Sequence, residues 1–164
     1  MRRRQFVTTG AIGLAGSVLA AQAALGKGEN RADSKRDAQQ KHDHQNAFQS
    51  CAKECSDCQR ACDECGRHCV DKLASGDEHH RHTLATCQDC ADVCAAASQI
   101  VSRSGPFSAD ICRACAEVCS QCAEACEKHA HDDMMAACAK ACRTCEDACR
   151  RMLTAAAAQH DARR

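Results

Sequence analysis

The sequence predicts an all-α protein with a cysteine-lined core, and three observations support this class. Residues that favour helix, such as Ala, Glu, Lys, Arg and Gln, are abundant, and the chain has a single Pro. Strand-forming residues are scattered, with three Phe and no Tyr or Trp. The eighteen cysteines recur at intervals of three and four residues, which places side chains on one face of an α-helix. We therefore expect an antiparallel up-down-up-down four-helix bundle.

The cysteines fall into four runs, one for each predicted helix. Within each run they follow the spacing of a heptad seam, where a bundle normally carries Leu or Ile. With almost no large aromatic side chains available, Cys and Ala must fill the interior. The first run is Cys51, Cys55, Cys58, Cys62, Cys65 and Cys69; the second is Cys87, Cys90 and Cys94; the third is Cys112, Cys115, Cys119, Cys122 and Cys126; the fourth is Cys138, Cys142, Cys145 and Cys149.

Turn residues set the helix boundaries. Ser75-Gly76 ends the first helix, Ser104-Gly105-Pro106 ends the second, and Ser108 is the expected N-cap of the third. No Gly or Pro separates the third helix from the fourth, so one helix of about fifty residues is the alternative, although it could not fold back on its own seam. The predicted helices span residues 45–73, 77–102, 108–130 and 134–158.

The N-terminal residues resemble a twin-arginine export signal. Arg3-Arg4 precedes a weakly apolar run rich in Gly and Ala, and Ala21-Gln22-Ala23 offers small residues for cleavage. We expect export to the periplasm or another extracytoplasmic compartment, by a route that moves folded proteins and so protects the thiols from oxidation. The predicted domains are a signal peptide at residues 1–23, a disordered polar linker at 24–44, the bundle at 45–158 and a tail at 159–164.

The charges are balanced and dispersed. The chain has 22 basic and 22 acidic residues, and removal of Arg2, Arg3 and Arg4 with the leader leaves 19 basic residues. Basic and acidic side chains alternate along the predicted helices instead of forming a patch. We therefore expect neither nucleic acid nor, after removal of the leader, a membrane as a partner.

The antiparallel order gives the bundle two different ends. One end is expected to be closed by an apolar plug: Phe48, Ile100, Val101, Phe107, Ile111, Met152 and Leu153. The other end collects imidazole and thioether groups, which copper accepts, and is expected to admit metal: His68, His79, His80, His82, His129, His131, Met134 and Met135. His80, His131 and Met135 continue the cysteine seams. The histidines have the alternative of capping helix ends or facing water, and the methionines that of filling gaps in the core.

Several other uses of dense cysteines fit the sequence less well. Simple packing predicts Cys scattered among Leu and Val, whereas one reactive residue type fills the seams here. A disulfide framework is the main alternative, but cysteines three or four apart on one helix are poorly placed for an S–S bond, which leaves only bridges between helices. The Cys-x-x-Cys-His motif of c-type haem and the cysteine run of ferredoxins are absent from the sequence. Thioredoxin-like catalysis is disfavoured because its Cys-x-x-Cys belongs beside a βαβ unit, which this chain cannot form.

Binding of a soft metal ion accounts for the pattern best. Thiolates select Cu(I) or Zn(II), and zinc requires closed tetrahedral sites. Because one sulfur can bridge two Cu(I) ions, a continuous row of thiols suits copper, with a capacity on the order of eighteen ions per chain. We expect a copper store, not an enzyme. The alternatives are a thiol redox or disulfide-stabilised protein, and sequestration of zinc or cadmium.

The repeated Cys-x-x-x-Cys pairs, the four seams and the His/Met-rich end resemble the bacterial copper storage proteins, over about residues 45–155. The resemblance implies a four-helix bundle that binds many Cu(I) ions on its core cysteines, for supply or detoxification, with a copper-accepting protein as partner. It also implies a homotetramer, of the exported type. Helix two departs from a full ladder, because Thr83 and Ala97 occupy seam positions. The implied metal ligands are the eighteen cysteines together with His80, His129, His131, Met134 and Met135.

Overall fold

The computed structural model describes the backbone of residues 26–161 and the side chains of residues 31–158. The chain divides after Asp37 into two units, and the second unit, from Ala38, contains every cysteine. The predicted signal peptide lies outside the described residues. No strand occurs among residues 26–161, which confirms the all-α class. The helices are α1 (Gly26–Ala74), α2 (Arg81–Ser102), α3 (Ser108–Glu127) and α4 (Asp133–Asp161), with a 3-10 turn at Glu78–His80.

Contacts between thiols give the direction of each helix in the bundle. Along α1 and α4 the residue numbers run in opposite directions, from Cys51 beside Cys149 (3.7 Å) to Cys62 beside Cys138 (3.9 Å). Helices α2 and α3 are antiparallel in the same way, and α1 and α3 are parallel. The bundle therefore has the predicted up-down-up-down order. The Sγ–Sγ pairs Cys87–Cys126 and Cys94–Cys115 show the antiparallel order of α2 and α3. The pairs Cys51–Cys112 and Cys65–Cys126 show the parallel order of α1 and α3.

The core consists mainly of sulfur and methyl groups. All eighteen cysteines are buried and free, and none is more than 1% exposed. Alanines fill much of the remaining space, among them Ala97 on α2 and Ala123 on α3, both fully buried. Because a thiol and a methyl group are small, the four backbones can approach closely while the exposed faces carry the charges.

The apolar end is closed largely as predicted, with one exception. Val101 and Met152 are fully buried, and Phe48, Ile111 and Leu153 are partly buried against the core. Ile100 is half-buried. Phe107 is 67% exposed and so does not belong to the plug. Its position explains the difference: it lies at the end of the α2–α3 loop, one residue before α3, so helical periodicity does not turn it inward.

Helix α1 begins at Gly26, well before the predicted start near Gln45, so the structure has helix where the sequence predicted a linker. The prediction relied on apolar periodicity, which detects a packed face and not helix as such. Residues 31–43 are exposed, and many of them are Ala, Arg, Lys and Gln, which form helix well without packing. Helix α1 ends at Ala74, and Gly76, at φ 93°, allows the left-handed turn predicted there.

Two further helix starts differ from the prediction. Asp77 accepts a hydrogen bond from the amide of His79 (3.3 Å), but it caps the short 3-10 turn, and α2 begins only at Arg81. Ser108 is the first residue of α3 instead of its N-cap, because its hydroxyl donates to the carbonyl of Gly105 (2.7 Å). Polar residues in a loop can satisfy either side of a turn, so the sequence located these loops but not the direction of each bond.

The break between α3 and α4 is real, which excludes the alternative of one long helix. Helix α3 ends at Glu127, three residues before its predicted end. Asp132 then accepts hydrogen bonds from the amides of Met134 (3.0 Å) and Met135 (3.4 Å), and α4 begins at Asp133. An aspartate that satisfies free amides at a helix start is a strong N-cap, so it takes the place of the missing Gly or Pro. Helix α4 continues to Asp161, through the first part of the predicted tail.

Candidate metal-binding core

The thiols form one connected network along the bundle axis. Near the apolar end, Cys51 lies 3.6 Å from Cys112, and in the middle Cys94 lies 3.5 Å from Cys119. Sulfur atoms at such distances are in contact but are not joined, since a disulfide bond is only about 2.05 Å long. Each helix contributes, because its seam turns inward at every third or fourth residue. The four predicted seams therefore combine into a single ladder of thiols.

Groups of four thiols occur at successive levels of the ladder. Within each group the sulfur atoms all lie within 4.8 Å of one another, which is a spacing that bound metal ions can bridge. Most groups combine residues from three helices, so they exist only in the folded bundle. Representative groups are Cys55, Cys115, Cys145 and Cys149; Cys58, Cys90, Cys94 and Cys119; and Cys65, Cys87, Cys126 and Cys138.

Burial acts to raise the pKa of these thiols and so favours their protonated form when no metal is bound. Burial raises the pKa of Cys69 to about 12. Hydrogen bonding to Cys149 and Cys51, together with burial, raises the pKa of Cys112. No Lys, Arg or His lies among the fully buried core residues, so nothing there offsets the cost of a free thiolate. The metal ion itself must provide the compensating charge, and binding must release protons.

Helix α2 supplies fewer sulfurs than the other helices, as the sequence indicated. Thr83 and Ala97 occupy seam positions and are buried, at 2% and 0% exposure. The Thr83 hydroxyl donates to the carbonyl of Ala125 on α3 at 3.5 Å, so it serves as a contact between helices. The ladder therefore has fewer sulfur atoms at both ends of α2. The hydroxyl group of Thr83 at one end and the methyl group of Ala97 at the other lie where a fourth sulfur would complete the layer.

At the other end of the bundle, His80 is the central histidine. Its side chain is buried, and it stacks on His129 with ring centroids 4.3 Å apart. His68 approaches His80 edge-on at 6.5 Å. The Nδ1 atom of His80 lies 3.1 Å from a carboxylate oxygen of Asp77 but outside hydrogen-bond geometry, and neither ring nitrogen has a partner among the described residues. A buried imidazole with no hydrogen bond at either nitrogen is unusual and is well suited to hold a metal ion.

The remaining predicted residues of this end differ in placement. Met135 is fully buried, and its Sδ atom lies 3.5 Å from the thiol of Cys65, so it extends the ladder beyond the last cysteine of α4. His129 is half-buried, and burial, with the nearby charge of His80, lowers its pKa and favours the neutral imidazole that binds metals. Those that face solvent are His79, His82, His131 and Met134.

Sequence analysis missed Asp132, the residue that organises this end. The carboxylate of Asp132 accepts a hydrogen bond from His68 Nε2 (2.8 Å) and lies 3.1 Å from Lys72 Nζ. Although burial alone would raise the pKa of Asp132, these donors and the amides of α4 hold it well below its usual value. Asp132 thus joins α1 to the start of α4. Only its position three residues before Met135 indicated this role, as a possible N-cap.

Comparison with protein families gives a match over most of the bundle. The family profile described as "Csp: Copper storage protein" matches residues 41–154, which include all eighteen cysteines. A search of curated protein sequences gives no match. None of the described helices has an apolar stretch long enough to cross a membrane.

Three solved structures illustrate the similarity. A cytosolic copper storage protein from Streptomyces lividans, loaded with five coppers, is 34% identical, with a TM-score of 0.63 over 68% of this chain and 95% of that chain. The Cu(I)-bound copper storage protein BsCsp3 is 36% identical, with a TM-score of 0.60 over 65% of this chain and 98% of that one. Apo copper storage protein 3 from Bacillus subtilis is 36% identical, with a TM-score of 0.55 over 63% and 96%.

Proposed function

Since the chain belongs to the copper storage protein family, we propose that it stores Cu(I) on its eighteen core thiols and acts as a reservoir, not as an enzyme. The observation that carries this proposal is the continuous ladder of buried, free thiols in contact at 3.5–4.0 Å. A catalytic metal site keeps an open position for substrate. These thiols instead face one another in a closed core, an arrangement suited to holding many ions.

The chemistry of storage follows from the geometry of the ladder. Each Cu(I) ion accepts two or three thiolates, and each sulfur can bridge two ions, so neighbouring groups of thiols share ligands. Every Cu–S bond formed displaces the proton of a thiol, and the positive ion compensates the negative charge of the thiolate in a core without water. Zinc fits less well because it would have to divide the ladder into separate tetrahedral sites.

Copper enters, in this proposal, at the end that carries the histidines and methionines. The unpartnered nitrogens of His80 and the neutral imidazole of His129 provide the first ligands, and the sulfurs of Met135 and Cys65 connect them to the ladder. His131 and Met134 face solvent and would collect ions outside the bundle. At the apolar end, Val101 and Met152 close the centre of the bundle.

The proposed location of the protein in the cell depends on sequence features outside the described bundle. The Arg3-Arg4 motif supports export by the twin-arginine route, with the mature chain starting after residue 23, in the periplasm or another extracytoplasmic space. The store would then supply a copper-accepting protein or remove excess copper there. A homotetramer is the proposed assembly. Detection of the native protein in the cytoplasm with its leader intact would contradict the export proposal.

A Cu(I) titration tests the storage function directly. Reduced protein is titrated with Cu(I) against a strong competing chelator, and we expect a count in the teens per chain with release of protons. Zn(II) in a parallel titration serves as the competing ion. Free thiols counted under denaturing conditions before loading should number close to eighteen. Binding of only a few ions, or a preference for Zn(II), would contradict the copper ladder.

The histidine end has its own test. We expect the double variant His80→Ala and His129→Ala to take up the first Cu(I) ions several-fold more slowly, because the imidazole ligands at the opening are lost, while the final count stays nearly unchanged. His79→Ala is the matched control, since His79 is exposed and stands outside the stacked pair. Stopped-flow measurement of uptake shows the difference. Equal uptake rates in all three proteins would exclude this route.

A further inference from the structure

The surface between α1 and α4 contains two pockets that reach toward the thiol ladder. Their volumes are about 250 and 280 Å³, and each has one core cysteine among its lining residues, Cys51 in the first and Cys58 in the second. Both cysteines have no exposed surface. The pockets therefore mark places where only a thin layer of side chains separates the ladder from solvent, away from the histidine end.

The pocket at Cys58 is formed by small residues on α4. Ala137, Ala141 and Thr144 follow one another at intervals of four and three, so they share one face of the helix. Short side chains at these positions leave the groove between α1 and α4 unfilled. The neighbouring groove differs, because Arg143 reaches across from α4 to the carboxylate of Glu127 on α3 at 3.0 Å. Side chains therefore cover the thiol ladder less completely in the α1–α4 groove than in the groove between α3 and α4.

Few interactions hold this groove closed. Asp132 joins α1 to the start of α4 at the histidine end. Beyond that residue, the side-chain hydrogen bonds between α1 and α4 in the described part of the chain involve only sulfur atoms, for example Cys58 with Cys142 at 3.8 Å. Sulfur is a weak hydrogen-bond partner. Small outward movements of the two helices near Cys58, away from Asp132, therefore break no strong polar contact, and they would bring Cys58 within reach of a ligand in the pocket.

Cys58 occupies a central position in the ladder. It belongs to one group of four thiols with Cys90, Cys94 and Cys119, and to another with Cys62, Cys90 and Cys142. An ion bound to Cys58 is therefore shared between two adjacent groups. A ligand that reaches this sulfur gains access to copper in the middle of the store, without removing first the ions near the histidine end.

The charges around the pocket at Cys58 indicate which ligand fits. Lys140 lines it and makes no ion pair with any described residue. The two acidic residues of the pocket already have a partner, since Lys53 lies 2.6 Å from Asp57 and 3.8 Å from Glu54. The unpaired ammonium group favours an anion, and the buried sulfur below it favours a soft donor. A small thiol that carries a carboxylate combines the two.

We propose that this pocket is a lateral release site, where a small thiol bearing a carboxylate binds at Lys140 and removes Cu(I) from Cys58. The inference rests on the proposed storage function. In the exchange, the bond between copper and the Cys58 sulfur breaks and a bond to the incoming sulfur forms. The proton of the incoming thiol passes to Cys58, and copper remains Cu(I), so no oxidant or reductant is required. The histidine end then serves uptake, and the side of the bundle serves release.

The test compares two thiols of similar size on the copper-loaded full-length protein. The probes are 3-mercaptopropionate, which has a carboxylate, and 2-mercaptoethanol, which does not, and the rate of Cu(I) removal is measured for each. We expect Lys140→Ala to slow removal by 3-mercaptopropionate about two- to fivefold, the range for one exposed ion pair, and to leave removal by 2-mercaptoethanol unchanged. Arg113→Ala, on the outer face of α3, is the control for loss of charge.

A second variant tests the pocket itself. Ala141→Leu fills it, and we expect slower removal by both thiols with the same copper count per chain. Ala96→Leu, half-buried on α2 and outside both pockets, controls for a larger side chain. Rates that change equally for both probes in Lys140→Ala, or that stay unchanged in both variants, would overturn the proposal. The copper count separates this failure from a failure of storage, since only the latter lowers the count in the unmodified protein.

Discussion

At the scale of single residues, the cysteine side chain serves two purposes in this protein. As a small, weakly polar group it packs in the core of the empty bundle, where all eighteen are buried. As a thiolate it is a strong ligand for soft ions. The two states differ by a proton, and burial favours the protonated form until a metal ion arrives. The same residues can therefore stabilise the empty protein and bind the cargo.

We expect the loss of copper capacity to depend on how many sulfurs a cysteine contacts. Cys119→Ala should lower the count by about two ions and Cys112→Ala by about one, because a central sulfur bridges two ions and a terminal one binds a single ion. Cu(I) titration of both variants measures this, each being the other's control for loss of one thiol. Equal losses would contradict shared ligands. Cys119 is in contact with Cys58, Cys90, Cys94 and Cys115, whereas Cys112 contacts Cys51 and Cys149.

The raised pKa of the buried Cys69 thiol predicts that the empty protein loses stability at high pH. The pKa of Cys69 rises from 9.0 to about 12 on folding, so between these values the unfolded chain is deprotonated while the folded chain keeps its proton. The free energy of unfolding should then fall as pH rises from about 9 to 12. Urea unfolding of reduced, copper-free protein at several pH values measures it. The copper-loaded protein, whose thiols are already deprotonated, should lack this dependence. Unchanged stability of the empty protein would contradict it.

At the scale of the elements, a polar junction at the histidine end connects α1 with the start of α4. Asp132 caps α4 and also binds His68 and Lys72 of α1. This end must present metal ligands while its loops stay in place, and apolar residues are scarce there. A charged N-cap with a second helix as partner solves this problem, because it satisfies the free amides of α4 and fixes the α3–α4 loop.

We expect Asp132→Ala to lower the stability of the protein by about 1–2 kcal/mol, mainly through loss of the N-cap of α4. Asp133→Ala is the matched control, since it removes the same charge one residue later and should cost much less. Thermal unfolding of the two variants compares them. The pKa of Asp132 lies below 3.8, so its contribution should be complete at neutral pH and lost as the pH falls through its folded pKa. Equal melting temperatures would contradict the capping role.

At the scale of the whole molecule, storage belongs to the bundle and not to the segment before it. Every cysteine lies between residues 51 and 149, within the second unit and within residues 41–154 that match the family. The exposed part of α1 before His44 adds no thiol. The second unit, which contains every cysteine, can therefore be treated as the copper-binding body.

We expect a chain that begins at residue 38 to bind as many Cu(I) ions as the full-length protein, because it retains the complete second unit. The measurement is the same chelator competition, performed on both chains. Circular dichroism of the shortened chain serves as the control for folding. A clear loss of capacity in a folded, shortened protein would show that the N-terminal segment takes part in storage.

The sequence by itself determined the helical class, the four seams, the burial of the thiols and the difference between the two ends. These features depend on periodicity, since residues three and four apart share one face of any helix. Tertiary structure decided which sulfurs meet, because register and rotation between helices are set by loops and packing that periodicity does not describe. It also placed His80 inside and His131 outside, although both continue a seam, and it gave Asp132 its partners. Those partners, His68 and Lys72 of α1, lie 64 and 60 positions before Asp132 in the chain, and only folding brings them together.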